Sequence, residues 1–198
     1  MVMAQQATGG SAAARRAMID SQLRVSGVND PAVLAAMAAV AREDFVPAAL
    51  RGNAYIDRAV PLGEGRALAA PLVHGRILSE AALAPGEKVL VVSHSGYLAA
   101  LAEAMGASVT LISPADLGTR TKGGDFAVVL VDGAAEQLPA ALAASLADDG
   151  RVVTGLVERG ITRLAVGRKS DGGIALLPRA EIGMPVLPEL AATKGWSF

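Results

Sequence analysis

The chain has 198 residues, a formal net charge of −1 and no cysteine. This length suffices for one α/β domain with a buried core, and the balanced charge, without a dense Lys/Arg block, argues against a nucleic-acid groove or an anionic membrane surface as partner. The lack of cysteine excludes disulfides, thiolate chemistry and Cys-ligated zinc. The sequence has neither a signal-peptide pattern at its start nor an apolar stretch long enough to span a bilayer, so we expect a cytoplasmic protein.

The N-terminal region, residues 11–83, is predicted to be helical with one hairpin. Asp30 followed by Pro31 indicates a helix start, because Asp caps free N–H groups and Pro suits the first helical position. The predicted elements are a helix over 12–25 that Gly27 stops, a helix over 31–40, a hairpin over 58–68 and a helix over 71–83.

Residues 86–180 are predicted to form a Rossmann-like core, because continuous apolar strands alternate with helices there. Such strands are typical of a mostly parallel sheet covered on both faces. We expect a single domain over residues 1–198 with an irregular tail over 181–198. The predicted elements are strands 88–92, 108–112, 126–131, 151–157, 161–167 and 174–178, with helices 96–105 and 136–147.

The connection between strands 108–112 and 126–131 is unusually short. Residues 114–124 cannot hold a crossover helix and a further strand, since a whole crossover takes about a dozen residues or more. Either strand 126–131 joins the sheet by a direct link, or strand 108–112 is a weak edge element. Unpaired edges recruit partners, so we expect a protein partner or a homodimer through the 108–112 edge.

The turn after the first core strand is where nucleotide-type α/β folds hold a cofactor, because glycines admit it closely and a helix offers free N–H groups. Here the turn is Ser93, His94, Ser95 and Gly96, with a single glycine. Asp132 ends a neighbouring strand, so a hydrolase site of Ser93 or Ser95, His94 and Asp132 is one interpretation. The other is that the serines cap the helix and His94 faces solvent. The lack of a Gly-x-Ser-x-Gly elbow favours the second.

The chain contains two histidines and no recognisable metal-ligand spacing, so we predict no metal site. His74 lies early in the third predicted helix. We interpret it as a packed or surface residue rather than as a ligand.

Several segments resemble the protein-L-isoaspartate O-methyltransferase family. The most specific are residues 42–47 (Arg-Glu-Asp-Phe-Val-Pro) and 54–57 (Ala-Tyr-Ile-Asp), which a generic methyltransferase domain lacks. Glu43 and Asp44 look structural in that context, and Tyr55 and Asp57 are implied substrate contacts. The other similar segments are 16–23, 27–30, 33–37, 61–65, 125–126, 131–134 and 150–153.

The resemblance covers roughly residues 15–167 and implies a fold and an activity. The implied fold is an α/β Rossmann-like class I methyltransferase sandwich with N-terminal helices, its mostly parallel sheet shortened by about one strand. The implied activity is methyl transfer from S-adenosylmethionine to the stray carboxylate of isoaspartyl residues in damaged proteins.

The departures from the family pattern fall on the implied cofactor site. Ala67 and Ala69 stand where the family has the hydroxyls of Gln-Thr-Ile-Ser-Gln-Pro. The loop is one residue shorter than Glu-Ile-Gly-Thr-Gly-Ser-Gly-Tyr and lacks its acid and two of its glycines. The second core strand ends in residues 112–114 (Ile-Ser-Pro) instead of the acid that holds the ribose, which leaves Asp116 as a candidate replacement.

Losing the ribose carboxylate and one or two loop N–H contacts costs about 3–6 kcal/mol. That corresponds to a ~10²–10⁴-fold weaker cofactor site. We therefore predict no cofactor, no catalytic residue and a role as a non-catalytic binding or interaction module. The alternative is an active S-adenosylmethionine-dependent methyltransferase with a diverged loop. The predicted remnant of the cofactor site is Ser93, His94, Ser95, Gly96, Asp116 and Asp132.

Overall fold

The computed structural model describes residues 2–117, 119, 121, 124–170 and 173–192, with side chains from residue 10 onward. Helix α1 (Val2–Met18) continues into a π-helical turn, Ile19–Leu23, and a 3-10 turn that ends at Gly27. Gly27 has a φ of +84°, the left-handed conformation that favours glycine. The predicted stop is therefore confirmed, while the helix begins ten residues before residue 12.

Helix α2 (Pro31–Ala39) begins at the predicted Asp-Pro pair. The Asp30 carboxylate accepts hydrogen bonds from the N–H groups of Ala32 at 2.8 Å and Val33 at 3.3 Å. These bonds satisfy amides that have no partner inside the helix. The elements that follow are 3-10 turns at Arg42–Phe45 and Ala48–Asn53, strands β1 (Val60–Gly63) and β2 (Arg66–Leu68), and helix α3 (Pro71–Ala81).

The rest of the chain builds the central sheet. Its elements are β3 (Lys88–Val92), α4 (Tyr97–Ala104), β4 (Ser108–Ile112), β5 (Phe126–Ala135), α5 (Ala140–Ser145), β6 (Leu146–Glu158), β7 (Ile161–Ser170) and β8 (Gly173–Glu181). The six strands lie in the order β4-β3-β5-β6-β7-β8. The first four pair in parallel, and β7 and β8 pair antiparallel. The mostly parallel α/β sheet is thus confirmed.

Strand β4 lies at the edge of the sheet and pairs with β3 along its whole length. Strand β5 pairs with the other side of β3, so residues 113–125 carry the chain across β3. Both alternatives are thus confirmed in part: β5 joins the sheet by a direct link, and β4 is an edge strand, although full pairing makes it a regular strand rather than a weak one. The described part of this link holds a 3-10 turn, Pro114–Asp116, and residues 118, 120, 122 and 123 lie outside the described residues.

Alternate residues of the parallel strands are buried on opposite faces of the sheet, as the period-2 geometry of strands requires. One face packs on helices α2, α3 and α4, and the other on α5 and on residues near the C-terminus. On the first face lie Val89, Val91, Val128, Leu130 and Val153. On the second lie Leu90, Val92, Val129, Val131 and Val152, covered by Leu142, Leu187 and Leu190.

The chain after β8 returns to the carboxyl end of β5. We call residues 182–192 the return segment. The Ala134 N–H donates to the Pro185 carbonyl at 2.8 Å, and the Leu187 N–H donates to the Ala134 carbonyl at 2.9 Å. The described part of the predicted tail is therefore bonded to the sheet, and residues 193–198 lie outside the described residues.

The return segment also shortens the helix predicted over 136–147. The N–H groups of Glu136 and Gln137 donate to the Leu190 carbonyl at 3.0 and 3.1 Å. Pro139, with an extended backbone (φ −65°, ψ +144°), stands between these two amides and α5, so the helix is limited to Ala140–Ser145.

Arg151, on β6, ties the sheet to the end of α3. Its guanidinium donates to the carbonyls of Ala81 at 2.6 Å and Ala82 at 3.0 Å, and to both carboxylate oxygens of Glu87 at 2.8 and 2.9 Å. The hydrogen bond from Arg151 outweighs burial and lowers the pKa of Glu87. One side chain thus holds two carbonyls at a helix end that lack helical partners.

We expect Arg151→Met to lower the free energy of unfolding by about 2–4 kcal/mol, because it leaves two carbonyls without partners and leaves the Glu87 carboxylate with only the Ala84 N–H. Chemical denaturation measures this. Arg168→Met is the matched control, since Arg168 lies opposite Arg151 on β7, is exposed and makes one bond, to the Asp149 carbonyl at 3.3 Å. It should change stability by less than about 0.5 kcal/mol. Equal losses in the two variants would contradict this role.

Candidate functional site

The loop between β3 and α4 makes hydrogen bonds within itself. The Ser93 hydroxyl accepts from the N–H groups of Ser95 and Gly96, both at 3.2 Å, and the Ser95 hydroxyl accepts from the Tyr97 N–H at 3.2 Å. Gly96 precedes α4 with a φ of +76°, which a side chain would strain. Two amides of the loop and the first amide of α4 are therefore occupied by hydroxyls of the loop.

The carboxylate of Asp132 joins this loop to the neighbouring strand β5. It accepts from the hydroxyl of Ser93 at 2.6 Å, from that of Ser95 at 3.4 Å, and from Nε2 of His74 at 2.9 Å. Asp132 is 8% exposed. Burial by itself raises the pKa of Asp132, but the attraction and hydrogen bond of His74 and the hydrogen bond of Ser93 outweigh it and hold that pKa below its ordinary value.

Behind Asp132, a chain of buried polar groups continues through His74 to Arg42, both fully buried. Nη1 of Arg42 lies 3.3 Å from Nδ1 of His74. Because a guanidinium only donates, this contact assigns the imidazole proton to Nε2, from which it is donated to Asp132. The remaining donors of Arg42 bind the carbonyls of Ala54, at 2.6 Å, and Ala69.

Tyr97 packs against both members of this buried chain. The Arg42 guanidinium carbon lies 5.0 Å from the centre of the Tyr97 ring, and the His74 ring meets it edge-on at 5.1 Å. Phe45 packs on the same ring with centroids 5.3 Å apart. Burial raises the pKa of Tyr97 to about 12, so the phenol is neutral at physiological pH. The polar chain is thus enclosed by aromatic rings.

His94 lies outside this network, with Nε2 3.3 Å from the carboxylate of Glu189 in the return segment. The Ser93 hydroxyl donates to Asp132, and the imidazole that Asp132 contacts is His74, so the order is Ser–Asp–His rather than the Ser–His–Asp order of hydrolases. This arrangement does not support the hydrolase interpretation. The serines accept from the N–H groups of residues 95–97, of which Tyr97 begins α4, in keeping with the first part of the capping interpretation. The expectation that His94 faces solvent is wrong, because its side chain is 8% exposed and packs beside Glu189.

The other expected positions lie apart from the network. Ala67 is half-buried in β2, and Ala69 is buried with its carbonyl against Arg42. Asp116 ends the 3-10 turn after β4 and is half-buried. The structure therefore brings together four of the six predicted remnant residues: Ser93, Ser95, Gly96 and Asp132.

The two expected substrate contacts differ in exposure. Tyr55 is 8% exposed, and its hydroxyl accepts from Nε of Arg15 at 2.7 Å and donates to Glu43. Burial, with the hydrogen bond to Glu43, raises the pKa of Tyr55 to about 12 against the opposing effect of Arg15. Asp57 is exposed. The Gln22 side chain donates to the Tyr55 carbonyl at 2.9 Å, so the turn is anchored from two sides.

Sequence reasoning missed the roles of Arg42 and His74. Arg42 is the first residue of the 42–47 motif, in which only the acids Glu43 and Asp44 were assigned a role. The presence of an arginine in that specific motif is the signal that was available in the sequence. His74 stands between Val73 and Gly75 on the buried face of α3, and its partner Asp132 is 58 residues away. No local pattern reports such a pairing.

Within the described residues, no group of three or more His, Asp or Glu side chains is placed to hold a metal ion. In the same part of the chain, no helix combines the length and apolar character needed to cross a membrane.

We expect Asp132→Asn to lower the free energy of unfolding at pH 7 by about 2–4 kcal/mol, because a buried carboxylate with three donors is lost. The pKa of Asp132 is lowered in the folded state, so its contribution is present above the unfolded-state value of about 3.9 and disappears as pH falls through the folded-state pKa. The difference between the two proteins should therefore shrink from about pH 5 to about pH 2.

Urea denaturation at a series of pH values measures this difference. Asp149→Asn is the control, because Asp149 is an exposed carboxylate on the same sheet. A wild-type advantage over Asp132→Asn that stays constant down to about pH 2 would contradict the assignment.

Three comparisons with known proteins agree with each other. The family model described as protein-L-isoaspartate(D-aspartate) O-methyltransferase matches residues 13–116. A protein-L-isoaspartate O-methyltransferase of Methylorubrum populi is 36% identical over 166 residues, covering 71% of this chain and 78% of that protein. One of Koribacter versatilis is 35% identical over 189 residues, covering 82% and 85%.

Among solved structures, one from Plasmodium falciparum, assigned as a protein-L-isoaspartate O-methyltransferase and in complex with S-adenosyl-L-homocysteine, superposes with a TM-score of 0.72. It is 20% identical and covers 90% of this chain and 98% of its own. At that identity the likeness shows the fold, which is the Rossmann-like class I methyltransferase fold. Together with the sequence matches, it places the chain in the protein-L-isoaspartate O-methyltransferase family.

Proposed function

We propose that this chain is a non-catalytic member of its family, which has lost S-adenosylmethionine binding and acts in the cytoplasm as a binding or interaction module. The observation that carries the proposal is the self-contained loop after β3. The N–H groups of Ser95 and Gly96 in the loop and of Tyr97 at the first position of α4 are bound by the hydroxyls of Ser93 and Ser95. In cofactor-binding α/β folds those amides face the ligand, and here they would have to leave their partners first.

The other groups near the loop also fit the cofactor poorly. Asp132 has three donors of its own, two serines and His74, so its carboxylate is not available for a ligand amine or hydroxyl. The end of β4 offers Ser113, whose hydroxyl accepts from the Ala115 N–H at 3.4 Å, in place of an acid. The nearest acid in sequence, Asp116, closes the next turn. The serines and Asp132 at this end of the sheet thus already have hydrogen-bond partners within the protein.

The family hydroxyl positions support the loss of catalysis. Ala67 and Ala69 have no group that donates or accepts a proton, and Ala69 is 1% exposed. Its carbonyl is taken up by Arg42. Catalysis at this point in the fold would need a side chain that the sequence does not supply.

The binding face that we assign to the module is the turn around Tyr55. Because the side chain of Tyr55 is held inward by Arg15 and Glu43, the adjoining Ile56 and Asp57 are exposed on a rigid support. An exposed apolar side chain beside a carboxylate suits contact with a peptide.

We expect Asp57→Asn to lose binding of an isoaspartyl peptide, and a binding assay with that peptide tests this face. Asp44→Asn, which changes another exposed acid, is the control and should retain binding.

We expect calorimetry of the full chain with S-adenosyl-L-homocysteine to detect no binding in the micromolar range, because about 3–6 kcal/mol of family contacts is missing. Methyl transfer from S-adenosylmethionine to an isoaspartyl peptide should stay at the level of a protein-free blank. A related, catalytically competent family member serves as positive control in both assays.

Micromolar binding of S-adenosyl-L-homocysteine would overturn the proposal. Binding together with methyl transfer above the blank would support the alternative, an active methyltransferase with a diverged loop. That alternative rests on the names of the relatives, which are those of methyltransferases.

As partner of the module we propose a second copy of the chain, joined through the edge strand β4. Ser108–Ile112 carries no charged residue, and Leu111 is 48% exposed on it. Edge strands without charges or bulges are prone to pair with other strands. The crossover after β4 is too short to supply a further strand of this chain.

We expect light scattering to detect dimer formation that rises with protein concentration and is abolished by Leu111→Lys, because a lysine on an edge opposes strand pairing. Leu177→Lys is the matched control, since Leu177 is 57% exposed on β8, the opposite edge. A monomer at every concentration, or equal effects of the two lysines, would refute this interface.

A further inference from the structure

The turn between β6 and β7 lies at the edge of the sheet where α/β folds bind ligands. Strands β3, β5 and β6 run parallel, so their carboxyl ends share one edge. Glu158, the last residue of β6, lies at that edge and pairs with Ile161, the first residue of β7. Ligands of open α/β sheets bind outside the carboxyl ends of the strands. The tip of this hairpin is therefore placed where a partner can reach it.

Arg159 holds a backbone conformation that its residue type disfavours. The two residues of the turn, Arg159 and Gly160, have φ values of +52° and +79°, the pattern of a type I′ turn. The first position of such turns favours Asn, Asp or Gly, because a bulky side chain is strained at positive φ. Backbone strain of this kind clusters at binding sites. The arginine at this position therefore indicates a role other than folding.

The side chains around the turn surround an open hollow of about 540 Å³. Its lining residues are Glu158, Arg159, Ile161 and Arg163. Ile161 is 40% exposed and forms the apolar wall of the hollow. An apolar surface thus lies next to two guanidinium groups and a carboxylate.

Of the two arginines in the hollow, only Arg159 lacks a partner. Nη1 of Arg163 donates to the Glu158 carboxylate at 2.6 Å, and Glu181 lies opposite Arg163 in the pairing of β7 with β8. In the part of the chain that the structure describes, Arg159 makes no hydrogen bond or ion pair. A guanidinium has five donors and no acceptor, and a carboxylate matches its geometry. The group that the hollow leaves to be complemented is therefore a cation.

From these observations we infer that the hollow at the β6–β7 turn is a docking site for a peptide segment of a partner protein. A carboxylate of that segment binds Arg159, and a neighbouring apolar side chain packs on Ile161. Arginine is enriched in protein interfaces, where a bidentate pair with a carboxylate adds specificity. The apolar wall favours a peptide over a free anion, because it adds nothing to the binding of a phosphate.

This inference goes beyond the proposed function. The described lining residues of the hollow belong neither to the loop after β3 nor to the turn around Tyr55. The docking site therefore stands whether or not the chain binds S-adenosylmethionine.

The test uses the full chain and two peptides that differ in one charge, acetyl-Leu-Glu-Leu-amide and acetyl-Leu-Gln-Leu-amide. NMR follows the amide signals of residues 158–163 as each peptide is added. We expect the glutamate peptide to shift these signals at millimolar concentration. The glutamine peptide should bind about threefold more weakly, the effect of one exposed ion pair.

Arg159→Asn removes the cation and leaves a residue that suits the turn. We expect this variant to lose the preference for the glutamate peptide and to melt at the same or a higher temperature than the wild type, because Asn relieves the strain. Arg168→Asn is the matched control and should keep the preference, since Arg168 is exposed on the same strand but does not line the hollow. Ile161→Ser should weaken the binding of both peptides alike.

Signals of residues 158–163 that do not respond to the glutamate peptide, or equal affinities of the two peptides, would overturn the inference. A preference that persists in Arg159→Asn would do the same, because the carboxylate would then bind elsewhere. Inorganic phosphate that shifts these signals as strongly as the peptide would replace the peptide site with a site for any small anion. A lower melting temperature of Arg159→Asn would show that the fold itself requires the arginine.

Discussion

The hydrogen bond between Ser93 and Asp132 is the contact on which the rest of the site depends. At 2.6 Å it joins the residue after β3 to the carboxyl end of β5, the neighbouring strand with which β3 pairs in parallel. The same serine oxygen accepts two amides of the α4 start, and the same carboxylate accepts His74. Removing either partner leaves a buried polar group without compensation, which is costly in a low-dielectric interior.

Mutual satisfaction of these groups is the physical basis of our proposal that this end of the sheet no longer binds the cofactor. A binding site needs polar groups whose partners are supplied by the ligand, whereas here the anion of Asp132 and the cation of Arg42 are connected through His74 inside the protein. Such buried networks rigidify a fold when every member has a partner. The fold of the family is thus combined with a buried polar network whose members bind one another.

The sequence predicts the parts of this structure that depend on neighbouring residues. Apolar runs located the strands, the Asp30–Pro31 pair located a helix start, and the length of the link after β4 predicted an edge strand. The motifs over residues 42–57 predicted the family. These features are local in the chain, so patterns of residue type report them.

Features that depend on distant residues escaped prediction. His74 finds Asp132 across 58 positions, and Arg42 finds His74 across 32. The helix expected over 136–147 loses its first turn because the amides of Glu136 and Gln137 bind Leu190, more than fifty residues later in the chain. Helix propensity is a weak prior that tertiary contacts override, and composition alone does not reveal which tail will dock where.

The position of the return segment after β8 in the sequence has a consequence during synthesis. Leu187 and Leu190 belong to the same apolar cluster as Val92 and Val131, yet they are synthesised after every strand of the central sheet. Until then the growing polypeptide exposes an uncovered apolar face. Surfaces of this kind are bound by chaperones and promote aggregation of nascent chains. A segment translated after all six strands of the central sheet is therefore one that covers this apolar face.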